Sequence, residues 1–190
     1  MQGKRSSPTH LSYGVLAAIG ESGASTTELV EMLSRGHMYH SSSPSQVYAE
    51  PKRLLALGWV TSEKQPGKTR NRTIYRLTDA GREALRAHLR QPAGWPRIQH
   101  DAAQRLFAGD MLTDEEILVS LQKLRADVQE MREIVETNIA RIPLLPARRA
   151  RYARLLQNLG RRLVRAHADW LDEVERELGR DPASKRPTTR

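Results

Sequence analysis

The side chains in this 190-residue chain best suited to chemistry are polar and basic, and they gather in two short stretches. In "SSSPSQVYAEPKR" they are Ser43, Ser45, Gln46, Tyr48, Lys52 and Arg53. Hydroxyls at the start of a helix, beside backbone amides that have no partner within it, suit a phosphate. Gln46 has the amide needed to pair with a base edge such as that of adenine, or it completes a capping box with Ser43. The Tyr48 ring can pack inward while its hydroxyl reaches a phosphate, or it can simply pack. Lys52 and Arg53 give the stretch a cationic end. In the second stretch, "SEKQPGKTRNR", Lys64, Lys68, Arg70 and Arg72 surround a Pro-Gly turn and can neutralise a phosphate backbone. The chemistry on offer is recognition of a polyanion.

Bond-making chemistry has no such support. There is no cysteine, which closes disulfide, thiolate-zinc and thiol-redox roles. His37 and His40 stand three apart in "HMYH" without further ligands nearby, so no metal site is expected. With no glycine-rich phosphate loop, no nucleophile elbow and no carboxylate pair in an apolar setting, no catalytic residue and no cofactor are expected, and the chain does not read as an enzyme. No window is apolar for long enough to span a membrane, and "MQGKRSSPTH" lacks the apolar core of a secretory signal, so a cytoplasmic location is expected. The formal net charge is +9, and residues 1–90 hold 13 Lys and Arg against 7 Asp and Glu. An excess of that size favours nucleic acid as the partner.

The elements that must carry these residues follow from periodicity. "SPTHLSYGVLAAIGES" predicts a first helix with Leu11, Val15, Leu16 and Ile19 on one side. "STTELVEMLSRG" predicts a second, opened by a Ser25–Glu28 capping box. The third has Ser43 as N-cap, Pro44 at its first position and Gln46 three residues on, with Val47, Pro51, Leu54 and Leu55 as its apolar face. Pro51 is a helix breaker in a helix interior, where proline costs roughly 3 kcal/mol. It implies either a kink that aims the first turns or a break into two short helices. "WVTSEK" and "RTIYRLT" then predict a two-stranded hairpin, and Thr78 caps a fourth helix.

"QPAGWP" marks a linker near 91–96. Beyond it a short helix is predicted in "IQHDAAQRLFAG", then a long helix capped by Thr113 and Glu116. Apolar residues recur along it as Ile117, Leu121, Leu124, Val128, Met131, Val135, Asn138 and Ile142. "IPLLP" breaks this helix. The last helix repeats Tyr152, Leu156, Leu159, Leu163, Ala166, Trp170 and Val174 in steps of three and four, a heptad seam flanked by Leu155 and Leu171. Three domains are expected: residues 1–92 for DNA binding, 97–179 for a helical dimerisation domain, and 180–190 as a disordered basic tail. Leu121, Leu124, Val128, Met131, Leu156, Leu159, Leu163 and Trp170 are the candidate dimer contacts.

Helix, helix, helix, hairpin and helix within some 90 residues is the order of a winged helix-turn-helix domain. "LSYGVLAAIGESGASTTELVEML", "SPSQVYAEPKRLLALGWV" and "RTIYRLTDAGREAL" together resemble the PadR family of bacterial transcriptional regulators, and the helices ending "ADWLDEVERE" resemble that family's C-terminal region more loosely. Departures are a short wing, poorer in arginine than in many members, and Pro51 after Glu50. The resemblance implies a mainly α fold, a homodimer on a palindromic double-stranded operator, and repression relieved by a small-molecule effector. Trp95, Phe107 and Trp170 are candidates for an effector pocket. The competing function is a winged-helix module that docks on an acidic protein.

Overall fold

The computed structural model describes residues 7–34, 43–66, 72–96 and 98–179. The chain packs as two units, Met1–Trp95 and Pro96–Arg190.

The first unit runs α1 (His10–Ile19), β1 (Ala24–Ser25), α2 (Thr26–Ser34), α3 (Pro44–Ala56), β2 (Val60–Gln65), β3 (Arg72–Leu77) and α4 (Asp79–Leu89). Each helix starts where its cap dictates. Thr9 and Ser12 form a capping box on α1, and Ser43 and Gln46 form one on α3. Glu28 accepts from the Ser25 amide at 2.7 Å and from its hydroxyl at 2.8 Å, closing the start of α2. The sheet has three strands in the order β1-β3-β2, all antiparallel, with Val60 opposite Leu77 and Ala24 opposite Tyr75. The third strand is β1, two residues that sequence periodicity does not register; it adds an edge to the hairpin and ties it to α2.

Val15, Leu16, Ile19, Leu29, Val47, Leu54, Val60 and Leu77 meet in one core. Full burial of a side chain such as Leu54 contributes about 2 kcal/mol. Here α3 continues unbroken from Pro44 to Ala56, with the Pro51 ring fully buried in line with Val47 and Leu54. The helix is therefore not split at Pro51. Leu55, expected on the inward face, is exposed, and buried Glu50 takes a place on that face instead.

In the second unit come α5 (Asp101–Phe107), a 3-10 turn (Gly109–Met111), α6 (Asp114–Ala140), a second 3-10 turn (Ile142–Leu144) and α7 (Ala147–Leu178). Arg125 of α6 reaches Asp172 at 2.7 Å and Glu175 at 2.8 Å, while Glu136 meets Arg161 at 2.6 Å. Rising numbers on α6 thus face falling numbers on α7, and the pair is an antiparallel hairpin. Burial lowers the basicity of the Arg125 guanidinium, but its hydrogen bonds to Glu175 and Asp172 outweigh that and hold it above its ordinary value.

From α6 the seam takes Ile117, Leu121, Val128 and Val135, as its period predicts. From α7 it takes Ala150, Gly160, Val164, Ala168, Leu171 and Val174. The predicted α7 row lies to one side of this seam: Tyr152, Leu156 and Leu159 are exposed, Leu163 and Trp170 are half-buried, and only Val174 is shared. Small residues let the two backbones approach, so the large apolar side chains stay outside. Leu171, expected on the flank, is fully buried in the hairpin. Among the described residues no helix is long and apolar enough to cross a membrane.

Candidate nucleic-acid interface

Around its buried side of Val47, Glu50, Pro51 and Leu54, α3 leaves Ser45, Gln46, Tyr48, Ala49 and Lys52 exposed. This is one continuous polar surface on a helix whose other side is fixed in the core. Its N-terminus is built from side chains: the Ser43 amide donates to Gln46 Oε1 at 2.8 Å, and the hydroxyls of Ser43 and Ser45 lie 2.9 Å apart. Gln46 Oε1 also accepts from the Ser43 hydroxyl at 3.2 Å. The amide of Gln46 is thus committed to the cap through its oxygen. Its Nε2 has no acceptor among the described residues and can still donate, whereas a bidentate adenine contact requires the cap to open. Tyr48 is 50% exposed, so its ring lies on the surface.

The cations sort into engaged and open ones. Arg53 donates from Nη1 to Glu50 Oε1 at 2.8 Å and to Ser12 Oγ at 3.1 Å, and from Nη2 to the Ser7 carbonyl. Arg72, at the start of β3, stands 3.7 Å from Glu28. The Ser25 amide, then its hydroxyl, then Arg72 hold the Glu28 carboxyl below its ordinary value of 4.5. Arg76 donates to the Ser22 carbonyl at 2.8 Å. Lys52 and Lys64 are exposed and have no carboxylate partner among the described residues. Lys68 and Arg70, like His37 and His40, lie outside the described residues, as does the tail 180–190.

The hairpin is anchored from its base. Gly58, at φ +73, turns the chain from α3 into β2. The Thr78 amide donates to the Trp59 carbonyl at 3.1 Å, its hydroxyl donates to the Gly58 carbonyl at 2.8 Å and accepts from the Gly81 amide at 3.0 Å. A single threonine therefore caps α4 and holds the turn that sets the angle between α3 and the hairpin.

Of the residues proposed for dimer contact, Leu121 and Val128 are buried within the chain itself, and Leu124 and Met131 are half-buried. Leu156 and Leu159 are 46% and 48% exposed. Trp95 and Phe107 are exposed; the Trp170 and His100 rings stand nearly perpendicular with their centres 5.5 Å apart, and His100 stacks on His167. Residues that sequence reasoning passed over are Ser12 and Glu50, the acceptors of Arg53, and the arginine run of α7. Glu50 lies three before Arg53, the spacing of neighbours on a helix, which is the signal that could have found the pair. In α7, residues 147–168 hold seven arginines and no acid.

Residues 15–87 match the transcriptional regulator PadR-like family, and residues 98–179 match the virulence activator alpha C-term family. Among solved structures, Bacillus subtilis PadR in complex with operator DNA superposes with a TM-score of 0.72 at 18% identity, over 91% of this chain and 98% of that one. The same regulator in complex with p-coumaric acid gives 0.66 at 18%, over 89% and 98%. The Vibrio cholerae virulence activator AphA gives 0.66 at 25%, over 89% and 98%. No curated protein matches the sequence.

Proposed function

The chain belongs to the PadR-like family of transcriptional regulators, with a C-terminal part of the virulence-activator type, and from that premise we propose that it acts in the cytoplasm as a homodimeric repressor on a palindromic operator. The observation that carries this reading is the exposed surface of α3 from Ser43 to Lys52. Its helix start is hydroxyl-rich, its far end is cationic, and the hairpin carrying Lys64 is fixed beside it through Thr78. A helix so presented enters the major groove, where open cations bind phosphate and Gln46 and its neighbours meet base edges. Tyr48 and the serines serve phosphates. Lys68 and Arg70 are candidates for further phosphate contacts, whereas Arg72 is held by Glu28.

Two copies are needed because one short helix makes few contacts, and a two-fold pair reads half-sites about one DNA turn apart. The α6–α7 hairpin supports such a pair. Tyr152, Leu155, Leu156 and Leu159 form an exposed stripe near the start of α7, with Arg148, Arg151 and Arg154 beside it. Near the start of α6 lie exposed Phe107, Met111, Leu112 and Val119, with Asp110, Asp114, Glu115 and Glu116. A two-fold axis across the middle of an antiparallel hairpin brings the start of α6 in one copy to the start of α7 in the other, apolar to apolar and acid to base. Leu163 and Trp170 continue the stripe toward the axis, and Leu124 and Met131 lie half-buried on α6.

A small molecule that alters the packing of these helices would change the spacing of the two α3 helices and so release DNA. The Bacillus subtilis complex with p-coumaric acid is a precedent for such a ligand in a protein of this fold. The deciding experiment is a gel shift with DNA from upstream of the protein's own gene against random duplex of equal length. Preference for the first supports a specific regulator, and equal affinity for both refutes it.

A further inference from the structure

We propose that Arg53, held by buried Glu50 on its own helix, is a positioning residue that locks the DNA-reading helix α3 to the start of α1 through Ser12 and the Ser7 carbonyl, rather than a contact to DNA. This rests on α3 being the helix that reads DNA. The arginine sits on the exposed end of that helix, where its charge alone would assign it to a phosphate. Its geometry assigns it elsewhere. Nη1 donates to Glu50 at 2.8 Å and to Ser12 Oγ at 3.1 Å, Nη2 donates to the Ser7 carbonyl, and the side chain is 23% exposed.

The two side-chain acceptors are buried: Glu50 is 6% exposed and Ser12 is fully covered. The Ser12 hydroxyl also accepts from the Thr9 amide at 2.8 Å. One oxygen thus caps α1 and receives the arginine of α3. A buried carboxylate within a DNA-binding helix repels the ligand and is costly without a partner. Glu50 makes sense there as the seat of Arg53.

The link does what the core contacts between α1 and α3 do not. Apolar burial is non-directional and tolerates rotation of a helix about its axis. A charged, forked hydrogen bond fixes direction. Gln46, Glu50 and Arg53 follow one another at four and three residues, one stripe of the helix. Fixing Arg53 at the end of that stripe fixes the azimuth at which Gln46 and Ser45 face the groove.

The experiment compares Glu50→Gln, Arg53→Ala, the double variant and Arg53→Lys in the full chain. Melting is measured without DNA, and binding is measured well below the melting range to duplex from upstream of the protein's own gene and to random duplex. A positioning link lowers the preference for the first duplex by about tenfold in each single variant, roughly the cost of one misread base pair. It leaves the salt dependence unchanged, makes the double variant no worse than either single, and lets lysine recover part of the loss. Glu50→Gln is the sharpest arm, because removing a negative charge near DNA otherwise strengthens binding.

The proposal is overturned if Arg53→Ala weakens both duplexes equally and reduces the salt slope by about 0.9 for each copy in the dimer while Glu50→Gln binds normally, which is the behaviour of a phosphate contact. It is also overturned if the variants melt earlier but keep their full preference. If the unmodified protein binds both duplexes equally, the specific-regulator assignment fails. The melting data then decide the link alone: non-additive losses support it and additive losses refute it.

Discussion

Gly81→Ala should be the most damaging single-methyl change in the first unit. Gly81 lies in the first turn of α4, and a Cβ there would stand 2.0 Å from the Trp59 carbonyl oxygen and 2.9 Å from its carbon. Helix and turn must separate by about 1.4 Å to restore ordinary contact. That carbonyl accepts the Thr78 amide at 3.1 Å, and Gly81 itself donates to the Thr78 hydroxyl at 3.0 Å, so separation breaks or stretches both bonds. Overpacking costs about 1–3 kcal/mol and a lost hydrogen bond about 1, against a gain of up to about 1 from alanine in a helix. The net loss is about 2 kcal/mol. In a domain of this size that lowers the melting temperature by roughly 8–16 °C. Calorimetry of the full chain, following the transition of the first unit, measures it. Gly58→Ala, with open space but φ +73, should cost about 1 kcal/mol, and Gly94→Ala, with nothing nearby, almost nothing. A Gly81→Ala protein melting within about 2 °C of the parent would refute the steric reasoning.

Three further outcomes follow from the same geometry. Leu156→Glu with Leu159→Glu should convert a dimer to a monomer in sedimentation and abolish operator binding while helicity is kept, since both side chains are already solvent-exposed in the single chain; a dimer that persists removes the α7 stripe from the interface. Lys52→Ala should weaken binding to every duplex alike and lower the salt slope by about 1.8, about 0.9 for each of the two copies in the dimer, and an unchanged slope would take Lys52 off the phosphate backbone. Glu28 is held below 4.5 chiefly by the Ser25 amide, so its contribution is present above the unfolded-state value and is lost as pH falls through the lower folded one. Glu28→Gln should cost about 1 kcal/mol at neutral pH and flatten the acid limb of the stability curve below about pH 5; a curve parallel to the parent's would contradict that sign.

Local signals carried α3 and its surroundings. Ser43, Pro44 and Gln46 announced the helix start, and the spacing of Val47, Pro51 and Leu54 announced its buried side, because caps and helical period are properties of neighbours in sequence. Pro51 was legible as an anomaly but not as a solution. Whether a proline breaks a helix depends on what its ring packs against, and here the ring replaces an aliphatic side chain in the core. Glu50 was illegible for the same reason. Its partner Arg53 is close in sequence, but Arg53 is held over it by Ser12 and Ser7, some 40 residues away, and no local pattern reveals that a charged residue on the inward side will be met there. The engaged arginines follow from this: a count of positive charge sees Arg53, Arg72 and Lys52 as equals, whereas ion pairing leaves Lys52 open and turns the other two inward or toward Glu28.

The two sides of α7 were unequally legible for a different reason. Tyr152, Leu156, Leu159 and Leu163 form the more strongly apolar row, and a search for large side chains at heptad spacing selects it. The intramolecular seam instead combines Val164, Leu171 and Val174 with Ala150, Gly160 and Ala168, small residues that a search for large side chains passes over. A chain that spent its large apolar residues on its own hairpin would have a stable monomer and a featureless outer surface. In this chain the leucine row near the start of α7 stays exposed outside the hairpin. The period was therefore real, but it marked a row that lies outside the hairpin seam, and hydrophobic spacing alone cannot say which of two apolar faces of a helix packs within the chain.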